Sequence, residues 1–318
     1  MRTRMLTLAG AISVLAVMTS IPVGATHTTG SSGDHTHLPV GGAPSSTPAV
    51  GTVYACQTTF GGGGAAATGT WFNGDGTFDL TKKPVVDGDV SWPDAKLKVT
   101  RKGSKRIITG NDLPVKHTTG TFPVGSTDDA FQFDPNPNSI RGQTVDVTLP
   151  AGPKVAAQPS CTSGGPIGIM LSGVQIFNAL DAGGRDAVAY ELQDHCNGHP
   201  QQQGAYHYHS LSECVAETDS ATGHSKLLGY VYDGFGIYGT RGEKGKVLIN
   251  ADLDECHGHT HKVKWDGKKV KMYHYHATAA YPYTIGCYRG TPAVTQPAGG
   301  AGGPPGGPPP GAGPRASP

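Results

Sequence analysis

Short strand-like runs that mix apolar and polar residues recur along the middle of the chain: GTWF (69 to 72), KLKVT (96 to 100), RIIT (106 to 109), AFQF (130 to 133) and TVDVTL (144 to 149). Alternation with a period of two sends every second side chain to one face, as a half-buried strand requires. Turn residues separate these runs, at Asn73-Gly74-Asp75-Gly76, Asp87-Gly88 and Asn136-Pro137. Beyond the N-terminal apolar run no stretch sustains a 3.6-residue apolar period, and Gly184 to Leu192 is the best helical candidate. The pattern predicts a mainly β protein, loop-rich, built of antiparallel sheets.

The second half of the chain is written twice. One copy reads GIMLSGVQIFN (168 to 178), DHCNGH (194 to 199), YHYH (206 to 209) and Cys214; the other reads GYVYDGFGIYG (229 to 239), DECHGH (254 to 259), YHYH (273 to 276) and Cys287. The three blocks keep their order at offsets of 61, 60 and 67 residues. Each copy reads as hairpin, loop and strand, with hairpin turns at Ser172-Gly173 and Asp233-Gly234, where glycine tolerates the positive φ of a tight turn. Two copies at a long period predict an internal pseudo-twofold repeat, and with it a paired site.

The ends of the chain differ in kind. Arg2 and Arg4, the apolar run from Met5 to Met18 and the small residues Val23-Gly24-Ala25 read as a signal peptide over residues 1–25, so a secreted, extracellular protein starting at Thr26 is expected. No second long apolar segment follows, so it is not expected to be membrane-embedded. Residues 26–50 and 292–318 are rich in Gly, Pro, Ser and Thr and are expected to be a disordered linker and a disordered tail. Between them lie an N-terminal β region, 51–160, and a duplicated domain, 161–291, with copies at about 166–214 and 227–287. The 25 basic and 24 acidic residues nearly balance, so no nucleic-acid partner is expected. A cell-wall or extracellular glycan contact is the partner class that remains.

Six cysteines in an exported chain favour disulfides over thiolate ligands. Pairings that treat the copies alike are Cys196 with Cys214 and Cys256 with Cys287, which leaves Cys56 with Cys161. Each repeat bridge would close a loop that begins beside Gly-His and ends just past YHYH.

Ten of the 14 histidines fall between His195 and His276. On a strand His207 and His209 share one face and Tyr206 and Tyr208 the other; His274 and His276 repeat this against Tyr273 and Tyr275. Two imidazoles on one face can reach a single ion, and His199 or His259 would add a third nitrogen per copy. Asp194 or Asp254 would serve as carboxylate ligand or orient an imidazole. The expected cofactor is a transition metal, zinc or copper, although imidazole alone does not choose between them. His195, His257 and His261 have no counterpart of the same type in the other copy, and His224 is isolated in sequence. The competing expectation is a metal-free module whose Tyr and His surfaces contact a glycan or protein. A metal-dependent hydrolase is third: Ser210 becomes Ala277 in the second copy, no GxSxG elbow occurs, and nothing selects a substrate or decides whether the protein is an enzyme.

GNDLPVKHTTGTFP (110 to 123), CNGHPQQQGAYHYHS (196 to 210), LDECHGHTH (253 to 261) and YHYHATAAYPYTIGCYRG (273 to 290), with the two hairpin segments, resemble the YHYH-domain family. The resemblance implies an exported protein and supplies no reaction. It adds His117, inside LPVKHTTG, to the ligand candidates, and it places His257 where the family has Asn, as Asn197 stands in the first copy.

Overall fold

A computed structural model describes residues 35–212, 214–215 and 222–294 of the chain. The expected signal peptide and residues 295–318 lie outside the described residues. Before the duplicated region, β1 (Leu38–Pro39) pairs with β2 (Thr77–Phe78), and β3 (Leu97–Lys102), β4 (Lys105–Gly110) and β5 (Val145–Pro150) form a three-stranded antiparallel sheet. Three of the runs read from sequence are these strands. Their apolar positions, Ile108 with Val145, Val147 and Leu149, are buried in the main core.

Residues 166–276 build one eight-stranded sheet. Its first half contains β7 (Pro166–Met170), β8 (Gln175–Phe177), β9 (Gly198–Pro200) and β10 (Tyr206–Tyr208). The second contains β11 (Leu227–Val231), β12 (Gly236–Tyr238), β13 (Gly258–Trp265) and β14 (Lys268–His276). The strand order is β13-β14-β12-β11-β7-β8-β10-β9. Outward from the β7–β11 seam, each half runs hairpin, then a parallel strand, then an antiparallel edge strand. The parallel pairings, β8 with β10 and β12 with β14, arise because long loops separate these strands in sequence. At the seam, a Cβ on Gly168 would lie 2.6 Å from the Tyr230 carbonyl oxygen and one on Gly229 would lie 2.6 Å from that of Ile169, so both strands need glycine for this approach. Outside this sheet β6 (Val155–Ser160) pairs with β15 (Tyr288–Gly290).

The fold is mainly β with antiparallel sheets and three disulfides, Cys56–Cys161, Cys196–Cys214 and Cys256–Cys287. Three local expectations fail. GTWF is a turn, not a strand: the buried Trp71 indole N–H donates to the Ala189 carbonyl at 3.0 Å, and Phe72 touches Phe78 through a single bridge before the Asn73 turn reverses the chain. AFQF lies in a 3-10 turn, Asp129–Gln132, because the Asp128 carboxylate caps the Ala130 N–H at 2.8 Å and Ala130 is buried. Residues 35–50, placed in a disordered linker, are packed chain. Leu38 is buried in a second apolar cluster, and the Gly41 N–H donates to Asp186 at 2.8 Å. The helix in the Gly184 to Leu192 window is one turn, α1 (Ala187–Tyr190), capped by Asp186.

Candidate metal centres

The alternation in YHYH sorts the side chains as expected. Cross-strand register places His199 of β9 directly opposite His207 of β10, and His259 of β13 opposite His274 of β14. His209 and His276 then lie two residues along the same face. The result is two separate clusters, His199 with His207 and His209, and His259 with His274, His276 and His224. In each cluster the donor atoms lie within 4.8 Å of one another. An aromatic ring from the hairpin floors each one: Phe177 stacks on His207 at 3.9 Å between centroids, and Tyr238 meets His274 edge-on at 5.0 Å.

Proton positions follow from the partners. His207 Nδ1 lies 3.1 Å from the Ala205 carbonyl and His209 Nδ1 lies 2.6 Å from that of Asn178. A carbonyl only accepts, so each Nδ1 carries the proton and each Nε2 keeps a bare lone pair. Those two Nε2 atoms are 3.1 Å apart. The second cluster repeats the arrangement with three rings: His274 Nδ1 on Met272, His276 Nδ1 on Gly239 and His224 Nδ1 on Ser225, at 3.1, 2.6 and 2.8 Å. His274 Nε2 is then 3.1 Å from both His276 Nε2 and His224 Nε2. Facing lone pairs repel unless a cation or a shared proton lies between them. Burial opposes the proton: it brings His209 down to about 4 and His274 to about 3, and holds His199, His207 and His276 well below the usual imidazole range, with neighbouring imidazoles adding to it. Ligands at about 2.05 Å in tetrahedral array are about 3.3 Å apart, close to the spacing found.

Unpaired atoms gather at the same places. Among the described residues eight buried side-chain N or O atoms lack a hydrogen-bond partner, and four of them are Glu191 Oε2, His199 Nδ1, His199 Nε2 and His259 Nε2. Each such atom costs about 1–3 kcal/mol if left unsatisfied. Glu191 was not among the sequence candidates. Its Oε2 lies 3.5 Å from His199 Nε2 and 3.6 Å from His209 Nε2, too long for hydrogen bonds and suited to sharing an ion with them. Burial, with Asp181 and Asp134 nearby, pushes its carboxyl well above the usual range. His224, isolated in sequence, was missed as well. The donor sets are therefore three imidazoles and a carboxylate in the first cage and four imidazoles in the second, both suited to zinc or copper and to iron or nickel. The first cage is buried throughout, whereas His224 and His259 of the second are only half-buried.

Three sequence candidates sit elsewhere. Asp194 accepts from the Gly120, Cys196 and Gly198 N–H groups and from the Tyr206 hydroxyl, at 2.8 to 3.1 Å. Asp254 does the same for Cys256, Gly258 and Tyr273. Both carboxylates belong to the tyrosine face of the strand, where they organise the loop and cannot reach the imidazoles. His117 also lies on that face. Its Nδ1–H donates to the Thr118 carbonyl and its Nε2 accepts from the Tyr208 hydroxyl, both at 2.6 Å; the sulfurs beside it belong to the Cys196–Cys214 disulfide. It completes neither cage. His257 is held by Thr284, Asn250 and Thr278.

A cavity of about 800 Å³ adjoins both halves. Its wall includes Gln193 and Ser210, sequence neighbours of the first cage, Thr240 and Thr278, neighbours of the second, and the buried Lys83.

Residues 146–247, from β5 through the second hairpin, match the family described as YHYH protein. The chain matches no curated protein and no solved structure.

Proposed function

From the match of residues 146–247 to the YHYH protein family and the geometry of the site, we propose that the protein binds transition-metal ions, one in each histidine cage. The observation that carries this reading is the convergence of Nε2 lone pairs whose Nδ1 protons are fixed on backbone carbonyls, in both cages. Hydrogen bonds of this kind fix the tautomer and orientation of metal-bound histidine. The ligands are His199, His207, His209 and Glu191 in one cage, and His224, His259, His274 and His276 in the other. Zinc or copper suits both donor sets. An exported protein fits the three disulfides, and among the described residues no helix is long and apolar enough to cross a membrane.

A second reading, activated-water chemistry, is favoured only at the second cage. There His224 and His259 reach the surface, and His261 pairs with Glu243 beside them. An ion held by three of these four imidazoles would keep a position open for water and lower its pKa.

Elemental analysis of untagged protein tests the main reading. About two ions per chain are expected in the parent, about one in a His207→Ala/His209→Ala variant, and none when His274→Ala and His276→Ala are added. Absence of metal from the folded parent, even after incubation with zinc, copper and iron salts, would overturn it.

A further inference from the structure

Away from the cages, positive charge is gathered at two hairpin tips. In β3–β4, Arg101 stands directly opposite Arg106 and Lys102 opposite Lys105. In β13–β14, Lys262 stands opposite Lys271 and Lys264 opposite Lys269. Directly opposed like charges destabilise a strand pair, and here there are four such pairs. Only the first has a carboxylate between its members. Asp266, in the turn of the second hairpin, takes Arg106 at 2.9 Å and Arg101 at 3.3 Å, which joins the two tips into one lobe. Lys98 and Lys268 bring the lobe to ten cations; its acids are Asp266 and, on β5 beside Thr109, Asp146. The eight lysines form no ion pair among the described residues.

We propose that this lobe is a binding surface for a linear polyanion with a non-aromatic backbone, a polymer bearing phosphate, sulfate or carboxylate groups. Lysines two apart on a strand repeat every ~7 Å, giving two parallel rows of point charges that a chain of anions can follow. No Phe, Tyr or Trp ring of β3, β4, β13 or β14 is exposed for bases to stack on. Tyr230 and Trp265 are buried, with the Arg106 guanidinium 4.3 and 4.8 Å from their ring centres. A near-neutral chain overall, 25 basic against 24 acidic residues, makes this local excess a feature of placement and not of composition.

Binding to the full chain is measured at about 50 mM salt with heparin and with long-chain polyphosphate, which separate sulfate from phosphate, and with single-stranded DNA and phosphatidylglycerol vesicles as contrasts. Heparin or polyphosphate is expected to bind with an affinity that falls steeply as salt rises. Changing Lys262, Lys264, Lys269 and Lys271 to Gln should weaken it at least about tenfold and flatten the salt dependence, whereas Gln at Lys82, Lys154, Lys244 and Lys246 should weaken it less than about twofold. The first variant should keep or raise its thermal midpoint, because it removes repulsion. No binding of either polymer, equal losses in both variants, or tighter binding to DNA or vesicles would overturn the proposal.

Discussion

Glu191 and His224 make the two cages chemically unlike, and neither was visible in the repeated blocks. At the offset that relates the copies, Ala251 stands where Glu191 would recur and Ser163 where His224 would. The paired histidines were legible because strand alternation alone fixes which side chains share a face; a fourth donor from a separate loop carries no such pattern. Alternation does not place Asp194 and Asp254, which stand in the turns before β9 and β13; the structure puts both on the tyrosine side, where each receives a tyrosine hydroxyl. Glu191→Gln keeps the side chain's size and removes its charge. It is expected to weaken metal binding at the first cage by at least about tenfold and leave the second unchanged, while His224→Ala does the reverse. Competition against a chromophoric chelator separates the two; equal losses at both sites would show that neither residue belongs to one cage.

At the scale of the element, each YHYH strand is held by the loop before it. In DHCNGH the carboxylate of Asp194 gathers three N–H groups and the Tyr206 hydroxyl, and Asn197 adopts a left-handed φ of 58°. His257 takes the equivalent position at φ 72°, which explains why the expected Asn can be replaced there by another residue tolerant of that region. Asp194→Ala would leave those donors buried and unpaired. A loss of about 3 kcal/mol or more is expected in urea unfolding, against about 2 kcal/mol for Asp254→Ala, whose side chain is 29% exposed and accepts one donor fewer. Equal effects would mean that the shared Asp-Tyr contact, and not the Gly120 bond, dominates. The strands and disulfides of this region were readable from periodicity and from the like treatment of the copies. The parallel pairings were not, because they depend on where long loops return.

For the molecule as a whole, the buried Lys83 makes stability depend on pH. It reaches from the cavity wall to the Val188 carbonyl and the Gln193 side chain, at 2.5 and 2.6 Å. Burial brings its ammonium down to about 7 from 10.5, with Asp186, Glu191 and Asp134 opposing. Between those values the unfolded chain binds a proton that the native protein lacks, so stability should rise with pH from about 7, and the full cost of the buried charge applies below it. Between pH 7 and 9 this group contributes up to about 1.4 kcal/mol per pH unit, a slope that Lys83→Met should abolish. Urea midpoints at three pH values decide it; a constant difference between parent and variant would contradict it. No sequence pattern marks Lys83, since its burial is created by segments remote from it in the chain. The basic lobe was hidden in another way, because a balanced charge total says nothing of how the charges are placed.

Strand order gives the cages one more role. Among the described residues no strand pairs with the outer side of β9 or β13, but β9 is buried and its Gly198 and Pro200 carbonyls accept from Asp194, Asn136 and Asn138, so β13 is the open margin of the eight-stranded sheet. Each cage spans a margin strand and its inner neighbour, His199 to His207 and His259 to His274. An ion bound in the second cage, as proposed, would tie down β13, whose open backbone could otherwise recruit another chain. Metal supply would then govern whether the protein stays a separate molecule, and deprivation would first appear as self-association at the β13 margin, before any loss of the core.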